Sequence, residues 1–181
     1  MRSHRPFGPY ISKDGWTTIL EDFRGELDVV GEVLRFHLDG PATAARPKLM
    51  NMFLHALIWF HEACRERLPL LATVKFAATL DALAGGGGRN AILDLLEVRL
   101  GVQRDHALFG DGTTAATAID EIYSEARSRT VHETNEKLQR DWSGKRGRAE
   151  QIARLCLIGC LAWASEKQDT DDPRAMTSVQ V

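Results

Sequence analysis

The chain has 181 residues, of which 44% are hydrophobic and 27% are charged. This composition suits one globular domain with a substantial core and argues against wholesale disorder. The formal net charge of −2 gives no general attraction to nucleic acid or to an anionic membrane, so a polyanion site would have to be a local patch.

The sequence also lacks the features of a membrane or secreted protein. No run approaches the roughly 18 apolar residues needed to cross a bilayer, and no apolar stretch typical of a secretory signal follows the N-terminal charges. The three cysteines are odd in number and have no CxxC spacing, which favours a reducing compartment. We therefore predict a cytoplasmic protein without a membrane partner.

Helix-forming residues dominate, and the first half of the chain divides into three predicted helices. The first runs from Trp16 to His37, with Asp14 as its N-cap and a stop at residues 39–41. The second follows Pro47 and ends near Arg67, and the third runs from Pro69 to about Ala84. The first helix has apolar positions three or four residues apart: Ile19, Phe23, Leu27, Val30, Leu34 and Leu38.

The second half continues the helical pattern. A fourth helix is predicted over Ala91–Leu100 and a fifth from about Thr114 to His132. Residues 133–147 are polar and contain glycines, so we predict a loop. A last helix, from Arg148 to about Lys167, is expected to turn four residues inward: Ile152, Leu155, Ile158 and Leu161.

The predicted fold is therefore all-α, an up-down bundle of five to six helices. Residues 1–44 are interpreted as an N-terminal extension with one helix, and residues 45–168 as the main helical domain. The charged segment 169–181 is predicted to be disordered.

Two patterns that could bind a metal or a phosphate are interpreted as structural. His61 and Cys64, and Cys156 and Cys160, have spacings that could share a helix face. All three cysteines lie in apolar runs, so we expect buried core residues and no metal site. The glycine run 85–88 lacks the Lys-Ser/Thr ending of a P-loop and follows no strand, so we interpret it as a flexible connection and expect no cofactor.

The remaining candidate site is the run from Arg127 to His132. The spacing of an arginine and a histidine is weak evidence by itself, because Arg99 and His106 also satisfy it. The surroundings are more specific. In the window of residues 127–148, seven basic residues are opposed by only three acids, Glu133, Glu136 and Asp141, and this concentration of positive charge would suit a phosphate backbone. The basic residues in this window are Arg127, Arg129, Lys137, Arg140, Lys145, Arg146 and Arg148.

Trp142 lies inside the same predicted loop. An exposed tryptophan there could stack on a base of a single-stranded nucleic acid. The alternative is a core tryptophan beside a solvated loop, and the sequence leaves both open.

These motifs together resemble HEPN domains, most closely the ApeA-like branch. The resemblance depends on Ile122-Tyr123 and on Arg127-Ser128-Arg129-Thr130-Val131-His132. A predicted polar loop and a long apolar helix follow them in the sequence. Upstream, residues 56–60 and 78–83 resemble two core helices of that family, with Asp81 where Glu is common. The resemblance covers about residues 45–167; Glu133 stands in place of the usual glycine.

The resemblance implies a metal-independent endoribonuclease that acts as a homodimer on RNA, in a toxin–antitoxin or anti-phage role with an antitoxin or sensor partner. Arg127 and His132 would be catalytic, since arginine binds phosphate with its planar fork and histidine exchanges protons near neutral pH. Residues 127 and 132 are about 140° apart on an ideal α-helix, so we expect a composite site between two protomers. The predicted supporting residues are Tyr123, Ser128, Arg129, Lys137, Arg140, Lys145 and Arg146.

Two other functions remain open. The same fold could serve as a non-catalytic module that binds RNA, a nucleotide or a partner protein, because fold alone does not determine function. The chain could also be a helical interaction protein in which Arg127 and His132 only make structural hydrogen bonds.

Overall fold

The computed structural model describes residues 12–128 and 141–178. Within these ranges every regular element of secondary structure is a helix, which confirms the predicted all-α bundle. A π-helix spans Asp120–Ser128, and short 3₁₀ helices span Pro41–Thr43 and Pro173–Thr177. The seven α-helices of the described residues are α1 (Lys13–Asp22), α2 (Arg24–Asp39), α3 (Pro47–Arg65), α4 (Pro69–Leu83), α5 (Gly88–Leu100), α6 (Ala115–Ile119) and α7 (Ser143–Glu166).

The helix count exceeds the prediction because two predicted helices are divided. The first is interrupted at Phe23, whose backbone departs from α geometry. The fifth becomes α6 followed by the π-helix. Proline marks the start of α3 and α4, as expected for a residue that has no N–H to donate.

The last helix begins five residues earlier than predicted, so residues 143–147 are not a loop. The Asp141 carboxylate accepts the backbone N–H of Ser143 at 2.8 Å, and the Arg146 N–H donates to the Trp142 carbonyl at 2.8 Å. These bonds satisfy donors of the first turn and offset the unfavourable helix propensity of Gly144 and Gly147.

One large core joins α2 to α7, and it contains two of the four residues predicted to turn inward on the last helix, Ile152 and Leu161. The side of α7 that turns inward is rich in small residues, including Ala149, Ala153, Cys156 and Cys160. The predicted inward residues Leu155 and Ile158 are instead 47% and 39% exposed. Small side chains let neighbouring helices approach closely, so this face of α7 packs in the core and the face with Leu155 and Ile158 does not.

The same correction applies to the N-terminal helices. Val29, Val33 and Phe36 of α2 are buried in the main core. The predicted apolar stripe lies on the opposite side, where Leu27 and Leu34 are 46% and 55% exposed.

Arg46, just before α3, joins distant parts of the chain through a buried guanidinium. It makes a bidentate ion pair with Glu32 of α2, at 2.8 and 2.9 Å. It also donates to the carbonyls of Ala164 and Lys167, at 2.7 and 3.1 Å, at the end of α7. Arg46 is only 3% exposed, and every named contact satisfies part of its five-donor fork.

Residues 169–178, expected to be disordered, pack against the bundle. Met176 is fully buried, and Arg99 donates to the carbonyls of Met176 and Ala175 at 2.7 and 3.1 Å. The Asp171 carboxylate accepts the Leu49 N–H at the start of α3. None of the described helices has the length and apolar character needed to cross a bilayer.

Candidate functional site around Arg127

Arg127 lies in the last turn of the π-helix. A π-helix has about 4.4 residues per turn and is rare except as a short bulge, often at functional positions. Tyr123 and Arg127 are therefore almost one turn apart and lie against each other, with the guanidinium carbon 4.9 Å from the ring centroid. The predicted angle between residues 127 and 132 assumed an ideal α-helix, and it stays a prediction because residue 132 lies outside the described residues.

The Arg127 guanidinium is fixed from two sides. One terminal nitrogen donates to the Tyr123 hydroxyl at 2.8 Å, and the other is 3.0 Å from the Asp81 carboxylate at the end of α4. The side chain of Arg127 is 28% exposed and that of Asp81 is 13% exposed. Since the guanidinium carries five N–H donors, these two contacts orient it without using all of them.

Asp81 links this arginine to the glycine turn between α4 and α5. Its second carboxylate oxygen accepts the N–H of Gly88 at 3.1 Å, and its backbone carbonyl accepts the N–H of Gly86 at 2.8 Å. The turn is thus an ordered structure rather than a merely flexible connection. Asp81 was not predicted from the sequence as a partner of Arg127. The one indication was that Asp81 is a lone acid in the otherwise apolar end of its helix, where a carboxylate needs a polar partner.

Tyr123 is a neutral partner in this cluster. Its burial, followed by the charge of Asp81, raises the pKa of its hydroxyl above the ordinary value. The hydroxyl therefore stays protonated at neutral pH and offers an oxygen that accepts from Arg127. We define the Arg127 cluster as Asp81, Gly88, Tyr123 and Arg127.

Several predicted site residues lie outside the described structure. Arg129, His132, Lys137 and Arg140 fall in the range that is not described, as does the side chain of Ser128. The Arg127 cluster therefore includes two of the nine predicted site residues, Tyr123 and Arg127, while Lys145 and Arg146 lie in the first turn of α7.

Acids from other elements neutralise the charge concentration predicted downstream. Lys145 is 3.3 Å from Glu121 and 3.2 Å from Glu125, both on the π-helix. Arg148 pairs with Asp111 and lies 3.8 Å from Glu121. Counting acids only within the window 127–148 missed these partners, so the positive charge of Lys145 and Arg148 is less available to a phosphate than predicted.

Trp142 does not offer a stacking surface. It is 3% exposed and packs in a small cluster with Leu70 and Ala126. The ammonium of Lys145 lies 5.0 Å from the ring centroid. The prediction that Trp142 could stack on a base is therefore wrong, and the alternative of a core tryptophan is confirmed.

The second arginine–histidine pair has a structural explanation. Besides holding the C-terminal segment, Arg99 lies 4.8 Å from the centre of the Trp163 ring. His106 is an exposed residue whose backbone bonds to residues 103 and 115. This pair provides a matched control for any test of Arg127 and His132.

The cysteines are only partly as predicted. Cys156 and Cys160 are buried, whereas Cys64 is exposed. Burial raises the pKa of Cys160 to about 12 and that of Cys156 well above its ordinary value, so both are protonated thiols at neutral pH. The described part of the chain contains no group of three or more His, Cys, Asp or Glu residues that could hold a metal.

A cavity of about 840 Å³ has two glycines of the turn, Gly85 and Gly86, in its lining. It is an open groove lined by residues of α3, by Gly85 and Gly86, and by the segment after α7. Among its lining residues are Lys48, His55 and Arg174, but no member of the Arg127 cluster.

Comparisons with models of known families, with curated proteins and with solved structures find no match to this chain. The HEPN resemblance therefore rests on the sequence motifs alone.

Proposed function

We propose that this chain is a metal-independent endoribonuclease of the HEPN type, in which Arg127 and His132 act on RNA. The observation that carries the proposal is the orientation of Arg127 by two fixed partners at the end of a π-helix. A guanidinium held in one direction, with N–H donors left over, suits recognition of a phosphate. The run from Arg127 leads to His132 within five residues.

The chemistry would follow from the properties of these two side chains. Neutral His132 would take the proton from a ribose 2′-hydroxyl, and the oxygen would attack the adjacent phosphorus. The bond from phosphorus to the 5′ oxygen would break, giving a 2′,3′-cyclic phosphate and, after proton transfer to the leaving oxygen, a 5′-hydroxyl. Arg127 would stabilise the negative charge that develops on the phosphate oxygens.

The wider biological setting belongs to the same proposal. By the family resemblance, the site would be completed in a homodimer and the activity used in toxin–antitoxin or anti-phage defence, with an antitoxin or sensor as partner. Lys137, Arg140 and Arg146 would supply the remaining contacts to the RNA backbone, since two neighbouring cations, Lys145 and Arg148, already pair with acids.

A second candidate function is a non-catalytic binding or dimerisation module. The specific observation in its favour is that Arg127 already has an acid partner, Asp81, at 3.0 Å. An arginine engaged in this way also serves to join the π-helix to α4. In that case His132 would carry no chemistry.

The deciding experiment compares the full-length chain with the H132A variant on structured RNA in EDTA. We expect cleavage by the wild type, products ending in a 2′,3′-cyclic phosphate, and a loss of at least 100-fold in rate for H132A, in line with the usual contribution of a general base. The H106A variant is the matched control and should cleave like the wild type.

Equal activity of wild type and H132A, or no activity in either, would contradict the nuclease proposal. Binding of the same RNA by both proteins without cleavage would then favour the non-catalytic module. Circular dichroism of each variant checks that the helical fold is kept.

A further inference from the structure

The N-terminal helices expose a continuous apolar stripe. α-Type hydrogen bonds span the junction between α1 and α2, because the Phe23 N–H donates to Ile19 and its carbonyl accepts from Leu27. The stripe faces away from the buried residues Val29 and Val33. We define the N-terminal stripe as Trp16, Leu20, Phe23, Leu27, Leu34 and Leu38, which are 52%, 53%, 42%, 46%, 55% and 79% exposed.

The spacing of the stripe is that of a helix–helix seam. Successive members are three, four or seven residues apart, which keeps them on one face over about 33 Å of helix. At the exposed fractions given, these six side chains offer on the order of 600 Å² per chain. Two copies meeting through them would bury about 1,200 Å², the lower end of the range for specific interfaces.

The charges beside the stripe alternate in sign along the chain. The same flank, between about 60° and 120° from Leu27 on an ideal helix, carries Glu21, Arg24, Asp28, Arg35 and Asp39. All five are exposed, and none makes an ion pair within the described ranges. When the order is reversed about Leu27, each arginine comes within two residues of an acid. The other flank, with Ile19, Glu26 and His37, has no comparable pattern.

Alternating charges of this kind fit a second copy running antiparallel. A two-fold axis perpendicular to α2 near Leu27 places the same flank of both copies side by side. With the axis at Leu27, Arg24 lies about 3 Å along the helix axis from the partner's Asp28, and Arg35 lies about 3 Å from the partner's Glu21, an offset that a long arginine side chain can span. A parallel pair would bring different flanks together and lose this match, so the charges select both the partner and its direction.

We propose that the N-terminal stripe is an antiparallel homodimer interface between two copies of this chain. It is separate from the Arg127 cluster, which is formed by α4, α5 and the π-helix. The proposal therefore does not depend on the proposed function, and each can fail without the other.

The first test measures the mass of the full-length chain by light scattering at tens of micromolar. We expect the L27E variant to have half the mass of the wild type with unchanged helical content, since it places a charge at the centre of the seam. L68E is the matched control, because Leu68 is exposed to 59% but lies outside the stripe, and its mass should equal that of the wild type.

The second test uses the charges. R24D should weaken the dimer at least 10-fold by setting two aspartates opposite each other, and the double variant R24D/D28R should restore the wild-type dissociation constant to within about three-fold. A wild-type chain that is monomeric, an L27E variant that keeps the wild-type mass, or a double variant that stays as weak as R24D would each overturn the proposal.

Discussion

The Arg127 guanidinium is oriented by two residues, Tyr123 and Asp81, and only the contact with Tyr123 could be predicted from the sequence. Tyr123 precedes it by four positions, so their proximity follows from any helical conformation. Asp81 is 46 residues away in sequence, and only the packing of α4 against the π-helix brings it to 3.0 Å. The electrostatic environment of the candidate site therefore depends on a long-range contact.

Substituting Asp81 tests how much this contact stabilises the fold. We expect D81N to lower the free energy of unfolding by about 1–2 kcal/mol, because it removes the charge that faces a partly buried guanidinium while keeping an oxygen for Gly88. The measurement is urea denaturation followed by circular dichroism. The D94N variant is the control: Asp94 and Arg104 pair at 2.6 Å but are 45% and 48% exposed, so the loss should stay within about 0.5 kcal/mol. Equal losses in both variants would contradict this interpretation.

At the scale of the elements, the helix boundaries were more predictable than the helix faces. Pro47 and Pro69 give local signals that depend only on their missing N–H groups. The choice of the buried face is not local, since a helix such as α7 carries apolar residues on several sides. Ala153 and Cys156 are buried whereas Leu155 and Ile158 are exposed, because the small side chains allow close helix packing. A count of hydrophobic side chains cannot predict that choice.

The glycine turn between α4 and α5 gives a prediction at this scale. Gly86 and Gly88 both have positive φ, +77° and +69°, so alanine at either position should cost about 1 kcal/mol through backbone strain. A Cβ at Gly88 would also lie 3.3 Å from the Tyr123 hydroxyl, whereas one at Gly86 would meet nothing within 4 Å. We therefore expect G88A to unfold at a lower urea concentration than G86A. Equal urea midpoints for the two variants would contradict this expectation, because they would mean that the Tyr123 side chain moves aside without loss of stability.

At the scale of the whole molecule, charge was the least predictable property of the site. The window 127–148 is basic as a sequence, but Glu121 and Asp111 approach it from earlier elements. Likewise, Trp142 lies in a polar stretch and is nevertheless buried through contacts with Leu70 of α4 and Ala126 of the π-helix. Local composition describes a segment, whereas availability to a ligand is decided by its neighbours in the fold.

The segment after α7 supports the whole bundle and can be tested directly. Met176 is fully buried, so M176A should lower the free energy of unfolding by about 2–4 kcal/mol through lost burial and the cavity left behind. Calorimetry or urea denaturation provides the measurement. L68A, at a residue exposed to 59%, should change the free energy by no more than about 0.5 kcal/mol. A neutral M176A variant would mean that this segment is not part of the core.

The Arg46 guanidinium has a consequence for the order in which the chain acquires its structure during synthesis. Its pairing with Glu32 can form as soon as α2 and α3 have left the ribosome, because the two residues are 14 positions apart. The carbonyls of Ala164 and Lys167 are 118 and 121 positions away and are synthesised far later. Until they arrive, Arg46 keeps its remaining donors in water, so the full desolvation of this charge waits for the synthesis of the end of α7.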